Sequence, residues 1–191
     1  PITGRYLTVT VEGAPRRIYF EEAGQGRPVL CLHTAGADTR QWRHLMNDAG
    51  ITANNRMIAF DLPWHGKSLP PEGFETEEYL LTTEAYIETV LAVIDGLGLH
   101  RPVLAGCSMG GRIALQLAAL HPDKFSGFIA IEASDFQPAW YDIDFTAPMP
   151  MAAKWVRRSS LPISRPLRQT PSGGIRCGCS CKVVRACSVG T

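Results

Sequence analysis

The stretch Gly106-Cys107-Ser108-Met109-Gly110 places a serine hydroxyl between two glycines, each two residues away. A β-like run, Arg101 to Ala105, precedes it, and an amphipathic run, Met109 to Leu120, follows. A serine on a sharp turn between a strand and a helix can act as a nucleophile. The turn is strained, so small residues are required where backbones approach closely. The helix that follows points its N-terminus at the site, where free N–H groups and the helix dipole favour developing negative charge. The competing reading is a purely structural turn; the strand before and the helix after favour the nucleophile. A serine hydroxyl still needs a base to take its proton and a carboxylate to orient that base.

The elements that must position Ser108 follow from periodicity. Tyr6 to Val11 and Arg16 to Glu22 are β-rich on either side of Gly13-Ala14-Pro15, which predicts an opening hairpin. Pro28 to Leu32 and Arg56 to Phe60 are short apolar runs of the kind buried on both faces of a sheet. Asp38 is a candidate N-cap for a helix through about Asn47. Leu80, Leu81, Tyr86, Ile87, Val90, Leu91 and Ile94 recur at helical steps and predict a helix over 77–97. His121-Pro122 stops the helix after Ser108, and Phe125 to Ile131 reads as one more strand. Strands alternating with helices imply a parallel sheet covered on both faces.

Charge divides the chain in two. All 18 acidic residues lie at or before Asp144, against 11 of the Lys and Arg, for a net −7; the remaining eight basic residues face no acid, for +8. No signal-like opening and no apolar run of membrane-spanning length is present, so a cytoplasmic protein without membrane or nucleic-acid partners is expected. Four of the six cysteines, Cys177, Cys179, Cys181 and Cys187, crowd into the last stretch. Their one-residue gaps make closure around one zinc ion difficult, and no metal or cofactor is expected.

Two further segments make the pattern specific. His33-Thr34-Ala35-Gly36 follows the third strand, and Asp61-Leu62-Pro63-Trp64-His65-Gly66-Lys67-Ser68 follows the fourth. With Gly106 to Gly110 they resemble, in order, the signature of the α/β-hydrolase superfamily, in the branch of esterases, enol-lactonases, C–C bond hydrolases and cofactor-free haloperoxidases. The resemblance covers about residues 5–135. It implies an α/β fold with a parallel-sheet hydrolase core, here its N-terminal part only, followed by an irregular C-terminal tail. It implies Ser108 as nucleophile and the backbone N–H groups of Met109 and Ala35 as the oxyanion hole. Thr34 and Trp64 depart from the pattern, since glycine is usual at both positions. The resemblance assigns His65 a structural role, and His33 reads as a loop organiser. His44, His100 and His121 read as solvated histidines, and Cys107 as a packing residue.

The resemblance also orders the triad as serine, acid, then a late histidine. The last histidine of the chain is His121. Glu132, at the end of the strand after the nucleophile helix, is the candidate acid, with a loop-capping carboxylate as its alternative; Asp135, Asp142 and Asp144 are weaker candidates. The expected organisation is a partial core over 1–134, the start of a cap over 135–156 and an irregular basic, Cys-rich tail over 157–191. Lost acids, lost periodicity and the missing histidine together favour a truncation or reading-frame disruption after about residue 144. The expected activity is hydrolysis of an ester, lactone or related small acyl substrate through a serine acyl-enzyme, impaired by the missing base. The rivals are C–C hydrolase or haloperoxidase chemistry on the same scaffold, and a non-catalytic binding protein.

Overall fold

The computed structural model describes residues 1–68, 70 and 81–134. Strand β1 (Thr3–Val11) turns through Glu12 and Gly13, both with positive φ, into β2 (Ala14–Ala23). Strand β3 (Arg27–Leu32) leads to a 3-10 turn (Thr39–Trp42) and the short helices α1 (Arg43–Met46) and α2 (Ala49–Thr52). Strand β4 (Asn55–Phe60), helix α3 (Thr83–Gly96), strand β5 (Val103–Cys107), helix α4 (Met109–Leu120) and strand β6 (Gly127–Ile131) complete the described elements.

The six strands form one sheet in the order β1-β2-β4-β3-β5-β6. The hairpin β1-β2 is antiparallel and meets β4 antiparallel, whereas β4, β3, β5 and β6 run parallel. Each parallel crossover must pass over a face of the sheet, which is why helices follow these strands. Alternation along the strands then sorts side chains into two cores. Leu30, Leu32, Ile58, Phe60 and Leu104 face α3 and α4, packing with Tyr86, Val90, Ile113 and Leu117. Cys31, Met57, Ala59 and Ala105 face the other way, onto Trp42 and Met46. Each fully buried Leu or Ile in these layers contributes roughly 1.5–3 kcal/mol.

Two helices differ from their predicted extents. Asp38 does cap, accepting from the Arg40 N–H, but it caps a 3-10 turn, with α-helix only from Arg43. The helix expected over 77–97 begins at Thr83, because the Thr82 hydroxyl accepts from the Ala85 N–H and closes its N-terminus. Of the earlier part of that run, 77–80 lie outside the described residues. The expected cap start over 135–156, the basic tail over 157–191, the four late cysteines and Asp135, Asp142 and Asp144 also lie outside them. Strand β6 ends the sheet among the described residues, and its Ile129 and Ile131 are 45% and 40% exposed.

Candidate active site

Ser108 stands between β5 and α4 with φ 50° and ψ −110°, a conformation that L-residues rarely adopt. The surrounding packing holds it there. A Cβ on Gly110 would lie 2.6 Å from the Leu32 carbonyl oxygen and 2.8 Å from that of His33, so α4 presses directly on the end of β3. A Cβ on Gly111 would lie 2.7 Å from the Ala133 Cβ, so the same turn of helix also abuts the end of β6. The Ser108 N–H donates to the Ile131 carbonyl at 2.8 Å, extending the β5–β6 register one step beyond Cys107 and Ile131. Three strand ends therefore fix the turn. The N–H of Met109 belongs to the first turn of α4, where no intrahelical acceptor exists.

The loop after β3 is organised around His33, which is only 1% exposed. Its Nε2 accepts from the Leu62 N–H at 3.1 Å. Its Nδ1 therefore carries the proton, donated to the Thr34 carbonyl at 2.8 Å. Both ring nitrogens are engaged, which makes His33 an organiser of the loop. The His65 Nδ1 lies 3.0 Å from the Pro63 carbonyl, and its ring sits 5.1 Å from that of His33. Ala35 follows two residues after His33 and is exposed. Thr34, despite standing at a usual glycine position, is held by a bond from its N–H to the Gln41 side chain at 2.9 Å. Trp64 pays conformationally for its departure: its φ is 66°, in the region glycine enters freely, at a cost of about 1–2 kcal/mol.

Polar residues of the Asp61–Ser68 motif and of the loop after β3 do most of the joining. Asp61, 1% exposed, accepts from the Thr39 N–H at 2.6 Å and from the Lys67 N–H at 2.8 Å. One carboxylate thus ties the loop after β3 to the loop after β4. Gly66, at φ 51°, has no room for a Cβ against that carboxylate. The Ser68 hydroxyl donates to the Asp61 carbonyl and accepts from the Tyr19 N–H, fastening the second loop to β2. The Gln41 side chain accepts from the Thr34 N–H, so it ties the 3-10 turn back to the start of the loop after β3. Burial pushes the Cys107 thiol above its ordinary range, an effect only partly offset by Gln41, and its side chain packs against the Trp42 and Met46 layer. The buried carboxylate of Glu21 is held below the usual range chiefly by its bond from Arg43.

Glu132 follows β6 directly, one residue after the Cys107–Ile131 pair that ends the register, with φ 49° and an exposed position. Three of the remaining histidines, His44, His100 and His121, lie on α1, before β5 and after α4. Among the described residues, no histidine nitrogen is hydrogen-bonded to the Ser108 hydroxyl, and no cluster of three His, Cys, Asp or Glu is placed to hold a metal ion. No described helix is long and apolar enough to cross a membrane.

The model for the α/β-hydrolase fold matches residues 27–156. The chain belongs to the α/β-hydrolase fold family. This α/β-hydrolase is 34% identical over 117 residues to the dihydrolipoyllysine-residue acetyltransferase component of an acetoin cleaving system from Pseudomonas putida, covering 61% of the chain and 30% of that protein. It is 31% identical over 136 residues to a 2-hydroxy-6-oxo-6-phenylhexa-2,4-dienoate hydrolase from Comamonas testosteroni, covering 70% and 44%. A thermophilic esterase from Thermogutta terrifontis superposes with a TM-score of 0.63 at 26% identity, over 82% of this chain and 54% of that one. The chain thus spans 30% to 50% of the length of the first curated relatives it matches.

The His33 bonds carry a pH signature. Burial lowers its pKa below the ordinary imidazole value of 6.5, while the unfolded chain keeps that value. The unfolded state therefore binds the extra proton first as pH falls. Stability contributed by neutral His33 is complete above about pH 6.5 and is lost as pH falls towards the depressed folded value. Urea midpoints measured at pH 7.5 and 5.5 are expected to fall, and a His33→Asn variant is expected to flatten that difference. An unchanged slope in the variant contradicts the assignment.

Proposed function

We propose that this α/β-hydrolase domain provides the nucleophile and oxyanion half of a serine hydrolase acting on an ester, lactone or related small acyl substrate. The strained conformation of Ser108 at the N-terminus of α4 is the observation that carries this reading. Strain of 1–3 kcal/mol at one residue persists where the surrounding structure enforces it, and such residues gather at reacting sites. Attack by the Ser108 oxygen on an acyl carbon would place negative charge on the former carbonyl oxygen. The Met109 N–H and the Ala35 N–H are the donors proposed for that oxygen. Glu132, directly after β6, is the proposed carboxylate.

No base is assigned within these 191 residues. No histidine follows His121 in the 191 residues, and His33 has both ring nitrogens occupied. The 191-residue chain is therefore read as catalytically impaired. The second reading, hydrolysis of an oxo-dienoate, draws on the Comamonas relative named for such a substrate. A fluorophosphonate probe distinguishes the nucleophile from a structural serine, because it captures an activated or well-placed hydroxyl covalently. Prolonged incubation is expected to modify the peptide containing Ser108 and to leave a Ser108→Ala variant unmodified there. Equal modification of both proteins at other serines would sink the proposal.

A further inference from the structure

A second concave site lies at the opposite end of the strand order from Ser108. Pairing between β2 and β4 covers only Phe20 to Ala23. Among the described residues, the earlier half of β2 has no strand beside it on that side, and Pro63, Trp64 and Lys67 lie there instead. The result is a cleft of about 260 Å³ lined by Tyr6, Arg16, Arg17, Ile18, Trp64 and Lys67, with three prolines. Arg16 and Arg17 are neighbours in a strand and would ordinarily point to opposite faces; both line the cleft because it wraps the open edge of β2.

The charge of this cleft is one-sided among the described residues. Arg5 and Arg56 are paired with Glu22, Arg43 with Glu21, and Arg40 with Asp38. Among the described residues, the lining of the cleft has three cations and no carboxylate. Lys67 is partly compensated, with its Nζ 3.9 Å from Glu21 and 3.0 Å from the Tyr19 hydroxyl. Among the described residues, Arg16 and Arg17 have no carboxylate within ion-pair distance. The Arg17 guanidinium lies 3.6 Å from the centre of the Tyr6 ring, which fixes its plane and leaves its N–H edge for a ligand. Tyr19 turns its N–H to Ser68 and its carbonyl to Asp61, on the open side. By the two-residue alternation of a strand, the Arg17 N–H points the same way, adding a backbone donor.

We propose that this cleft binds a small organic anion with a flat apolar body, an aryl carboxylate, with its carboxylate on Arg16, Arg17 and Lys67 and its ring against Trp64 and the neighbouring prolines. Arginine donors match a carboxylate in pairs, and the apolar lining favours a ring over a hydrated inorganic ion. The cavity accommodates one small molecule rather than a polymer. Strands β4 and β3 lie between β2 and β5, so the site is separate from the Ser108 turn and does not depend on the role assigned to it.

Ligand-observed NMR on the full 191-residue chain tests this with 1-naphthoate, and with neutral 1-naphthamide as the uncharged match. Saturable binding of the naphthoate is expected, at least tenfold tighter than the amide and weakened by added salt. The double change Arg16→Gln with Arg17→Gln is expected to weaken it at least tenfold, and Arg17→Gln alone severalfold. Arg40→Gln, outside the cleft, and Ser108→Ala are expected to leave it unaltered. Circular dichroism confirms that the variants fold. Absence of saturation, equal binding of the amide, indifference to both arginine variants, or loss of binding in Ser108→Ala each overturns the proposal.

Discussion

The 191-residue chain is expected to turn over a p-nitrophenyl ester at a rate close to that of its own Ser108→Ala variant. Removing the base from a serine hydrolase costs about a millionfold in kcat. Stabilisation of the oxyanion and substrate binding alone leave a residue of about 10³–10⁴-fold over the reaction in water. No histidine nitrogen is hydrogen-bonded to the Ser108 hydroxyl among the described residues. His33 spends both nitrogens on Leu62 and Thr34. His65 is turned by its Nδ1 to the Pro63 carbonyl. His44, His100 and His121 belong to α1, the loop before β5 and the end of α4. Steady-state release of p-nitrophenol by the chain and by Ser108→Ala measures the difference. A turnover several orders of magnitude above that of the variant contradicts the expectation and implies that one of these histidines reaches Ser108.

The second large effect falls on stability. Replacing Asp61 by Ala strands the N–H groups of Thr39 and Lys67, of which Thr39 is buried. A buried donor left without its acceptor costs about 1–3 kcal/mol. The expected loss is about 2–4 kcal/mol, read from the urea midpoint. Asp48 gives the comparison, since it caps the exposed start of α2 by accepting from Gly50 and Ile51. Its change to Ala is expected to cost about 1 kcal/mol. If Asp61→Ala costs no more than Asp48→Ala, the carboxylate does not hold the two loops together.

These two residues mark what local sequence does and does not reveal. Ser108 was legible because its requirements are local: two glycines at fixed offsets, a strand before and a helix after. The contacts of Gly110 with Leu32 and His33 show the physical reason for that spacing. Strands β1 to β6 were legible for the same reason, since alternation and apolar runs register burial directly. Asp61 appeared only as part of a pattern, because its partners at Thr39 and Lys67 are brought to it by the packing of β3 against β4. Gln41 gave no local signal: its side chain meets the Thr34 N–H only once the 3-10 turn folds back on the loop. The start of α3 was misplaced because the leucines before it continue the helical period, and only the Thr82 cap marks the boundary. The cleft at Arg16 and Arg17 was hidden for a different reason. Adjacent strand residues are expected on opposite faces, and only the short β2–β4 pairing brings both to one edge.

The claim that Ser108 and the α4 N-terminus form the reacting half of a hydrolase site can be tested without a base. An aryl boronic acid forms a tetrahedral adduct with a nucleophilic serine and mimics the charged intermediate. A crystal structure of the 191-residue chain with such a compound is expected to show boron bonded to the Ser108 oxygen, with one boronate oxygen accepting from the Met109 N–H. Boron found elsewhere, or a Ser108 adduct whose oxygens point away from Met109, would contradict it.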